Sequence, residues 1–428
     1  MTTMETTTPP TMSPAHARRV FYILTVTRWF PVGVIVGIFV LLATGRGLTT
    51  TQALTYAAAS GIVTFALELP TSGFADAFGR RAVYIAAAVV NVITAYAYVV
   101  AHSFWAFVGA ATLMGIFRAL DSGPLEAWFV DEVHVSEPGK DVDQELSRQG
   151  TVLGLSIAAG SLVGGSLIWW HPIKSAPAIN LSVWCFLGLN LIHVLAVVTL
   201  LKETPRHPVG ARRRQLLAES VTGAPRVIAD GLKLLRHNHV LLGLMAAEVC
   251  WSIGMIAFES LLPLRLEEMV GTQQRAAALM GPVAAVGWLI FALGTWLSGL
   301  TSRRIDIART AVIGRLLNGL GVVVMGLVLG PVALIAVYFF TYSAHGFNGP
   351  PHAALLHREA SAGNRATVLS MNSMMAFLAY GAIAPVAGWL SDRTSIALTT
   401  VVVGVVSVLG AIFYVPARRA EREGRVAA

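Results

Sequence analysis

The stretch Ser72-Gly73-Phe74-Ala75-Asp76-Ala77-Phe78-Gly79-Arg80-Arg81 separates two long apolar runs, residues 53–71 and 82–101. Crossing the roughly 30 Å hydrocarbon core of a bilayer takes about 20 residues of helix, and each run is long enough. An acid, two glycines and paired arginines in so short a connection suit a tight polar hinge between two membrane helices. They do not suit a loop of a soluble domain.

Working outward, twelve such segments are predicted, at about 20–43, 53–74, 82–101, 105–130, 149–170, 179–201, 239–262, 277–300, 310–329, 332–350, 366–390 and 395–415. Backbone groups in lipid must be satisfied within the segment, so runs of this length predict helices rather than barrel strands. Of the 428 residues, 55% are hydrophobic and 13% charged, against about 25% charged in a soluble domain. A soluble multi-domain enzyme is excluded.

The net charge of +8 does not mark a nucleic-acid binder, because its distribution follows the membrane. With a cytoplasmic N-terminus, only Arg46, Lys174, Arg265, Arg275 and Arg393 fall in outer loops. Arg28, Arg118 and Arg315 fall within spans, and the remaining Lys and Arg face the cytoplasm. This positive-inside pattern predicts a multi-pass protein of the inner (cytoplasmic) membrane with both termini cytoplasmic. Cys185 and Cys250 lie in apolar spans and suggest neither a disulfide framework nor a metal site. Residues 1–17, rich in Thr and Pro, are expected to be a disordered cytoplasmic tail.

Residues 202–238 form the longest polar interruption and read as a cytoplasmic linker, with a short surface helix over 231–236. The expected organisation is a six-helix bundle at 18–201, the linker, a second bundle at 239–416 and a cytoplasmic tail at 417–428. Weak internal symmetry supports two halves. Thr151-Val152-Leu153 opens span five as Thr367-Val368-Leu369 opens span eleven, and Trp29 with Gly33 in span one is echoed by Trp251 with Gly254 in span seven. Such repeats characterise transporters in which one half rocks against the other.

With these residues in view, the chain resembles the major facilitator superfamily over nearly its whole length. The loop after span two resembles that superfamily's hinge motif at Asp76, Gly79, Arg80 and Arg81. Ser72 stands for the first Gly of the motif, Gly73 comes one place late, and Ala77 replaces the usual base. The resemblance implies a cytoplasmic gate of Gly73, Asp76, Gly79, Arg80 and Arg81, with Asp131 at the end of span four as partner. That gate would hold the two halves in the outward-open state. Arg118-Ala119-Leu120-Asp121-Ser122-Gly123-Pro124-Leu125-Glu126-Ala127-Trp128 resembles the motif with Arg in the middle of span four. Ser156, Gly160, Ser161, Gly164 and Gly165 resemble the glycine motif of proton-driven drug antiporters, without its first Gly and its Pro. Arg365-Ala366-Thr367-Val368-Leu369-Ser370 and Pro385-Val386-Ala387-Gly388-Trp389-Leu390-Ser391-Asp392 bracket span eleven as in many bacterial members.

Ionisable residues inside spans are rare and usually functional. Arg118, about 13 residues into its span, lies roughly 20 Å deep. Asp121 is the expected partner of Arg118, with Glu126 near the cytoplasmic mouth. Arg28 is expected to pair with Glu68. Glu248 has no obvious partner in its own half, which suits a proton carrier or an anchor for a cationic substrate. Glu259 reads as part of an outer rim or gate, and Arg315 as a snorkelling residue. The expected proton-coupling set is therefore Glu68, Arg118, Asp121, Glu126 and Glu248. The expected cavity set is Arg28, Trp29, Glu248, Trp251, His345, Asn348, Asn372 and Tyr380, with Trp128, Phe258 and Phe377 as further wall aromatics.

The fold expected is all-α and integral to the membrane, with twelve helices in two pseudo-symmetric six-helix bundles. The resemblance implies secondary active transport by alternating access. The leading expectation is proton-coupled export of an amphipathic or cationic small molecule, by a monomer with no cofactor and no nucleic-acid partner. Two alternatives stay open: a proton-coupled importer of a nutrient or organic anion held by Arg28 and Arg118, and a membrane binding or sensor protein that does not cycle. No Walker A loop and no nucleophile–base set is present, so neither ATP hydrolysis nor enzymatic activity is expected.

Overall fold

The computed structural model describes residues 12–71, 73–203, 215, 222–223, 228–229, 231–361 and 364–424. Ser72 of the hinge stretch, residues 1–11 of the expected tail, most of the 202–238 connection and residues 425–428 lie outside the described residues.

Every regular element among the described residues is helical, and the elements form twelve spans. Span one is Pro14–Val34 continued by Ile38–Gly45, span two Thr50–Thr71, and span three Arg80–Val100. Span four is Phe104–Asp121 continued by Pro124–Ser136, span five Asp143–Trp170, and span six Ala178–Leu200. Span seven runs His239–Ile256, a π turn at Ala257–Leu261, then Leu262–Val270. Gln273–Ser302, Ile307–Leu327, Pro331–Glu359 and Arg365–Arg393 are spans eight to eleven. Span twelve is Ile396–Leu409, a 3-10 turn at Gly410–Tyr414, and Val415–Arg422. Eleven of these are long and apolar enough to cross a membrane. Span ten has 29 residues, but His345, Asn348, Pro350, Pro351 and His352 dilute its apolar character. The all-α fold of two six-helix bundles is the one expected.

Two boundaries need correction. Residues 12–17 belong to the fold rather than to a tail: Ser13 Oγ accepts from His16 N at 3.3 Å, Pro14 takes the first helical position, and Met12 and Ala17 are buried. Ser-Pro is a helix start because the Ser caps a free N–H and the Pro has none to lose. At the other end, residues 417–422 continue the last helix. Glu421 accepts from Arg358 at 2.7 Å and from the Ala308 backbone N–H at 2.9 Å. Residues 231–237 of the linker are helical, and Leu235 packs with Leu241 and Leu355 of the second bundle.

The distribution of the core sets the conformation. Near the linker end each bundle has its own apolar cluster. Phe21, Leu24, Trp128 and Phe129 belong to the first, and Leu241, Leu244, Leu355 and Tyr414 to the second. At the far end a single cluster runs through both bundles, from Leu41, Phe107 and Phe186 to Leu262, Met280 and Tyr338. Hydrogen bonds between the bundles gather there too. Asp392 of span eleven accepts from the Thr50 and Thr51 backbone N–H groups at 3.1 and 2.8 Å, capping the start of span two. Gln273 of span eight reaches Leu41 O, and Gln274 reaches Ile168 O at 3.2 Å.

Glycine permits this closure. A Cβ on Gly165 would lie 2.6 Å from Ala278 O, and one on Gly281 would lie 2.6 Å from Ser161 O. Spans five and eight therefore meet backbone to backbone, the close approach that small residues allow in membranes. Gly37, at φ 71°, breaks span one and lets Met280 and Pro263 of the second bundle press against it.

Replacing Gly281 by Val should penalise this far-end-closed state by about 1–3 kcal/mol through overpacking and leave the opposite state untouched. A membrane-impermeant maleimide should then label Met280→Cys from the far side at least five-fold faster, in a background with Cys185 and Cys250 replaced. An unchanged rate would show that the span five–span eight contact does not seal the far end.

Candidate functional site

Behind the far-end seal lie two chambers between the bundles. The linker-side chamber, of 420 Å³, is walled by Arg28, Trp29, Glu68, Arg118, Asp121 and Glu126 with Phe377 from the second bundle. The far-side chamber, of 370 Å³, is walled by Tyr56, Tyr98, Arg118, Trp251, Glu259 and Tyr380. Arg118 and Phe377 line both, so the chambers meet at that pair. The Arg118 guanidinium lies 5.2 Å from the Phe377 ring centre, a cation–π contact between bundles.

The charge pairing differs from the sequence expectation. Arg28, 6% exposed, bonds Asp121 Oδ2 through Nε at 2.9 Å and Nη2 at 2.8 Å. Its guanidinium also lies over Trp29 and Phe117, at 4.6 and 4.4 Å. Asp121 is thus the partner of Arg28 rather than of Arg118, and Glu68 is not the partner of Arg28. The reason is the break in span four. The helix stops at Asp121, and Gly123 takes φ 88° before Pro124 restarts it, which swings the last carboxylate toward span one. Arg118 is left exposed to the chambers, with no carboxylate bonded to it among the described residues. Glu68 Oε2 is buried without a hydrogen-bond partner. Glu126, in the first turn of the restarted helix, accepts from Gln149 Nε2.

In the second bundle Glu248 does have a partner in its own half, contrary to expectation. His352 Nε2 of span ten lies 3.3 Å from Glu248 Oε2. The same imidazole contacts Tyr414 OH at 2.8 Å and Asn372 Oδ1 at 3.1 Å. Glu248, Asn372 and His352 therefore form a packed network rather than chamber wall. Asn348 is 3% exposed, and its Oδ1 has no hydrogen-bond partner. Arg315 does not snorkel: it is 0% exposed, and none of its three nitrogens makes an aligned hydrogen bond. His345 is held away from the chambers too. Its Nδ1 accepts from Trp251 Nε1 at 3.2 Å, its ring stacks on Trp251 at 5.3 Å, and Phe291 and Tyr342 close the other sides. Of the expected cavity residues, Arg28, Trp29, Trp251 and Tyr380 line chambers.

Glu259 too was misplaced by sequence reasoning. It lies in the far-side chamber rather than on an outer rim. Pro263 has no N–H and crowds the carbonyl four residues back, which is that of Glu259. The chain answers with a π turn in which the Leu262 N–H bonds Ala257 O, a local rewinding common at functional sites. Leu-Leu-Pro was the available signal, but hydropathy alone marks it as a helix end.

The hinge loop is tied within the first bundle. Arg80 bonds Asp76 at 2.7 Å and Asp131 at 3.4 Å. Glu203, just past span six, accepts from the Arg80 and Arg81 backbone N–H groups at 2.9 and 3.0 Å, capping span three. The Arg81 side chain donates to Leu201 O at 2.6 Å and Val198 O at 3.1 Å, capping span six. Gly79 takes φ 97°, which only glycine adopts without strain, while Gly73 has an ordinary helical φ of −85°. Arg80 and Asp131 thus bond within one half while the far end is closed. In this state the pair ties the hinge loop to span four; the latch that the resemblance implies concerns the outward-open state. Glu203 was missed by sequence reasoning because nothing marks a capping acid 123 residues from Arg80.

The Major Facilitator Superfamily profile matches residues 21–383. The chain belongs to that superfamily. Solved structures agree in fold. The nucleoside transporter NupG superposes with a TM-score of 0.73 at 14% identity, over 93% of this chain and 98% of that one. A POT family transporter in complex with 5-aminolevulinic acid gives 0.69 at 15%, over 92% and 94%. A bacterial homologue of the human lysosomal transporter Spinster, inward-facing and unoccupied, gives 0.71 at 14%, over 94% and 96%. No curated protein matches by sequence.

For a superfamily member, a buried pair such as Arg28–Asp121 should matter chiefly when one partner is removed. Asp121→Asn leaves the guanidinium uncompensated and should cost about 3–5 kcal/mol, read as a lowered unfolding temperature in detergent. Adding Arg28→Met should restore most of it. If the single variant unfolds like the wild type, Arg28 finds its counter-charge elsewhere.

Proposed function

We propose that the protein is a secondary transporter that exports an amphipathic organic cation in exchange for protons. The supporting observation is the chemistry of the paired chambers. Four carboxyls, Glu68, Asp121, Glu126 and Glu259, face two guanidiniums, and one of those guanidiniums is spent on Asp121. Aromatic rings, among them Trp29, Tyr56, Tyr98, Trp251, Phe377 and Tyr380, share the wall with small and aliphatic residues. Such a surface favours a positive, partly apolar guest through charge and ring faces together. Among the described residues an organic anion would meet one free arginine against three remaining acids, which disfavours the importer reading.

Glu68 is proposed as the proton carrier. A buried carboxyl oxygen without a partner is costly as an anion, so its charge is the most readily exchanged for a proton in this wall. The linker end is taken as cytoplasmic, in line with the positive-inside pattern. On that reading the closed far end makes this the inward-open state. The separate cores at one end and the shared core at the other support alternating access, since rocking the bundles would split one interface and form another. A sensor that does not cycle would have little need of two chambers behind a dissociable seal.

The test is proton movement in proteoliposomes loaded with a panel of lipophilic cations. Wild-type protein should move protons opposite to the cation, and Glu68→Gln should reduce that coupled flux at least ten-fold. Uptake of an organic anion with no cation-linked proton movement would sink the export reading.

A further inference from the structure

The linker-side acid Glu68 and the far-side acid Glu259 have one feature in common. Among the described residues neither has a carboxylate-binding cation of its own, and Arg118 lines the chamber of each. The other ionisable groups near them, among the described residues, have contacts of their own or are tyrosines. Around Glu68, Arg28 and Asp121 hold one another, Glu126 holds Gln149, and the remaining ionisable wall residue besides Arg118 is Tyr84. Around Glu259 the ionisable neighbours besides Arg118 are tyrosines: Tyr56, Tyr98 and Tyr380 in the wall, with Tyr342 against Phe258. Arg118 itself rests on a ring, Phe377, rather than on an acid.

We propose that Arg118 is a counter-ion shared by Glu259 and Glu68, and that an organic cation seated on Glu259 releases it to Glu68, which then loses its proton. This rests on the export reading and supplies the step that couples guest to proton. The far-side chamber is built for such a guest. Tyr56 OH donates to Phe39 O at 2.8 Å, and Tyr380 OH is bonded to Ser260 Oγ at 2.7 Å. With those hydroxyls engaged, the walls offer ring faces, and Trp251 adds another. Ring faces plus one carboxylate recognise a desolvated cation.

The charges balance. Before the guest arrives, Arg118 compensates the Glu259 carboxylate, and Glu68 is protonated and neutral. The guest brings one positive charge to Glu259. Arg118, no longer needed there, favours the anionic form of Glu68, whose O–H bond breaks. That proton leaves through the linker-side chamber. One positive charge enters and one proton departs, so the exchange adds no net charge to the membrane core, which would be expensive.

Tetraphenylphosphonium is the suitable probe because it has no proton to give. Purified protein in weakly buffered detergent near pH 7 should release about one proton per cation bound. Glu68→Gln should still bind the cation but release none. Glu259→Gln should weaken binding at least ten-fold while unfolding at the wild-type temperature. Arg118→Gln should bind more tightly than wild type, because the competitor for Glu259 is gone, and should release no proton. A merely structural role for Arg118 would weaken binding instead. Wild-type-like binding by Glu259→Gln, or undiminished proton release by Glu68→Gln, would overturn the shared counter-ion while leaving cation export standing. Failure of wild-type protein to bind any cation of the panel would bring down both.

Discussion

The seal between spans five and eight is the constraint on which the rest of the structure depends. Two helices can approach this closely only where neither has a side chain, and Gly165 and Gly281 supply that at facing positions. Their backbone contact draws Gln273 and Gln274 over the ends of spans one and five. On the opposite side of the molecule, Gly388 lies against Thr50 and Thr51, and Asp392 caps the same turn. With the far end closed along two lines, the apolar cores of the bundles merge there and stay separate at the linker end. The chambers are the space this leaves, and their opening direction follows from which end is closed.

Breaks in otherwise regular helices place the polar groups inside that space. Gly37 interrupts span one, Gly123 interrupts span four, and Pro263 forces a π turn in span seven. Each interruption leaves backbone groups that a lipid-facing helix could not tolerate, and each faces protein or a chamber instead. The two bundles use related positions with opposite charge logic. Spans one and four of the first half pair Arg28 with Asp121, while spans seven and ten of the second pair Glu248 with His352. The first pair forms chamber wall; the second is packed among Asn372 and Tyr414. Among the described residues the asymmetry leaves Arg118 facing open space at the junction of the chambers.

Much of the architecture was legible from the chain alone. Twelve apolar runs, the hinge stretch with Asp76, Gly79, Arg80 and Arg81, and the mid-span Arg118 pointed to the fold and the superfamily. The candidate site was legible only as a set of residue types. Arg28, Glu68, Asp121 and Glu126 do gather in one chamber, but the pairing among them was misread. Helical spacing puts Asp121 one turn from Arg118 and cannot show that the helix ends there. Asn348, Asn372 and Glu248 read as cavity residues because polar groups in spans usually are, whereas here they satisfy one another or lie buried between helices.

Membership of the major facilitator superfamily and the number and character of the spans were determined by the sequence itself, because length and apolarity are local properties that lipid reads directly. Which acid meets which base, which end is sealed, and that Glu259 belongs to a chamber were decided only by the tertiary structure. These depend on how a helix is rotated and where it breaks. In a membrane, rotation is set by packing against neighbouring spans rather than by any pattern of polar and apolar faces, since the lipid and the helix interior are equally apolar.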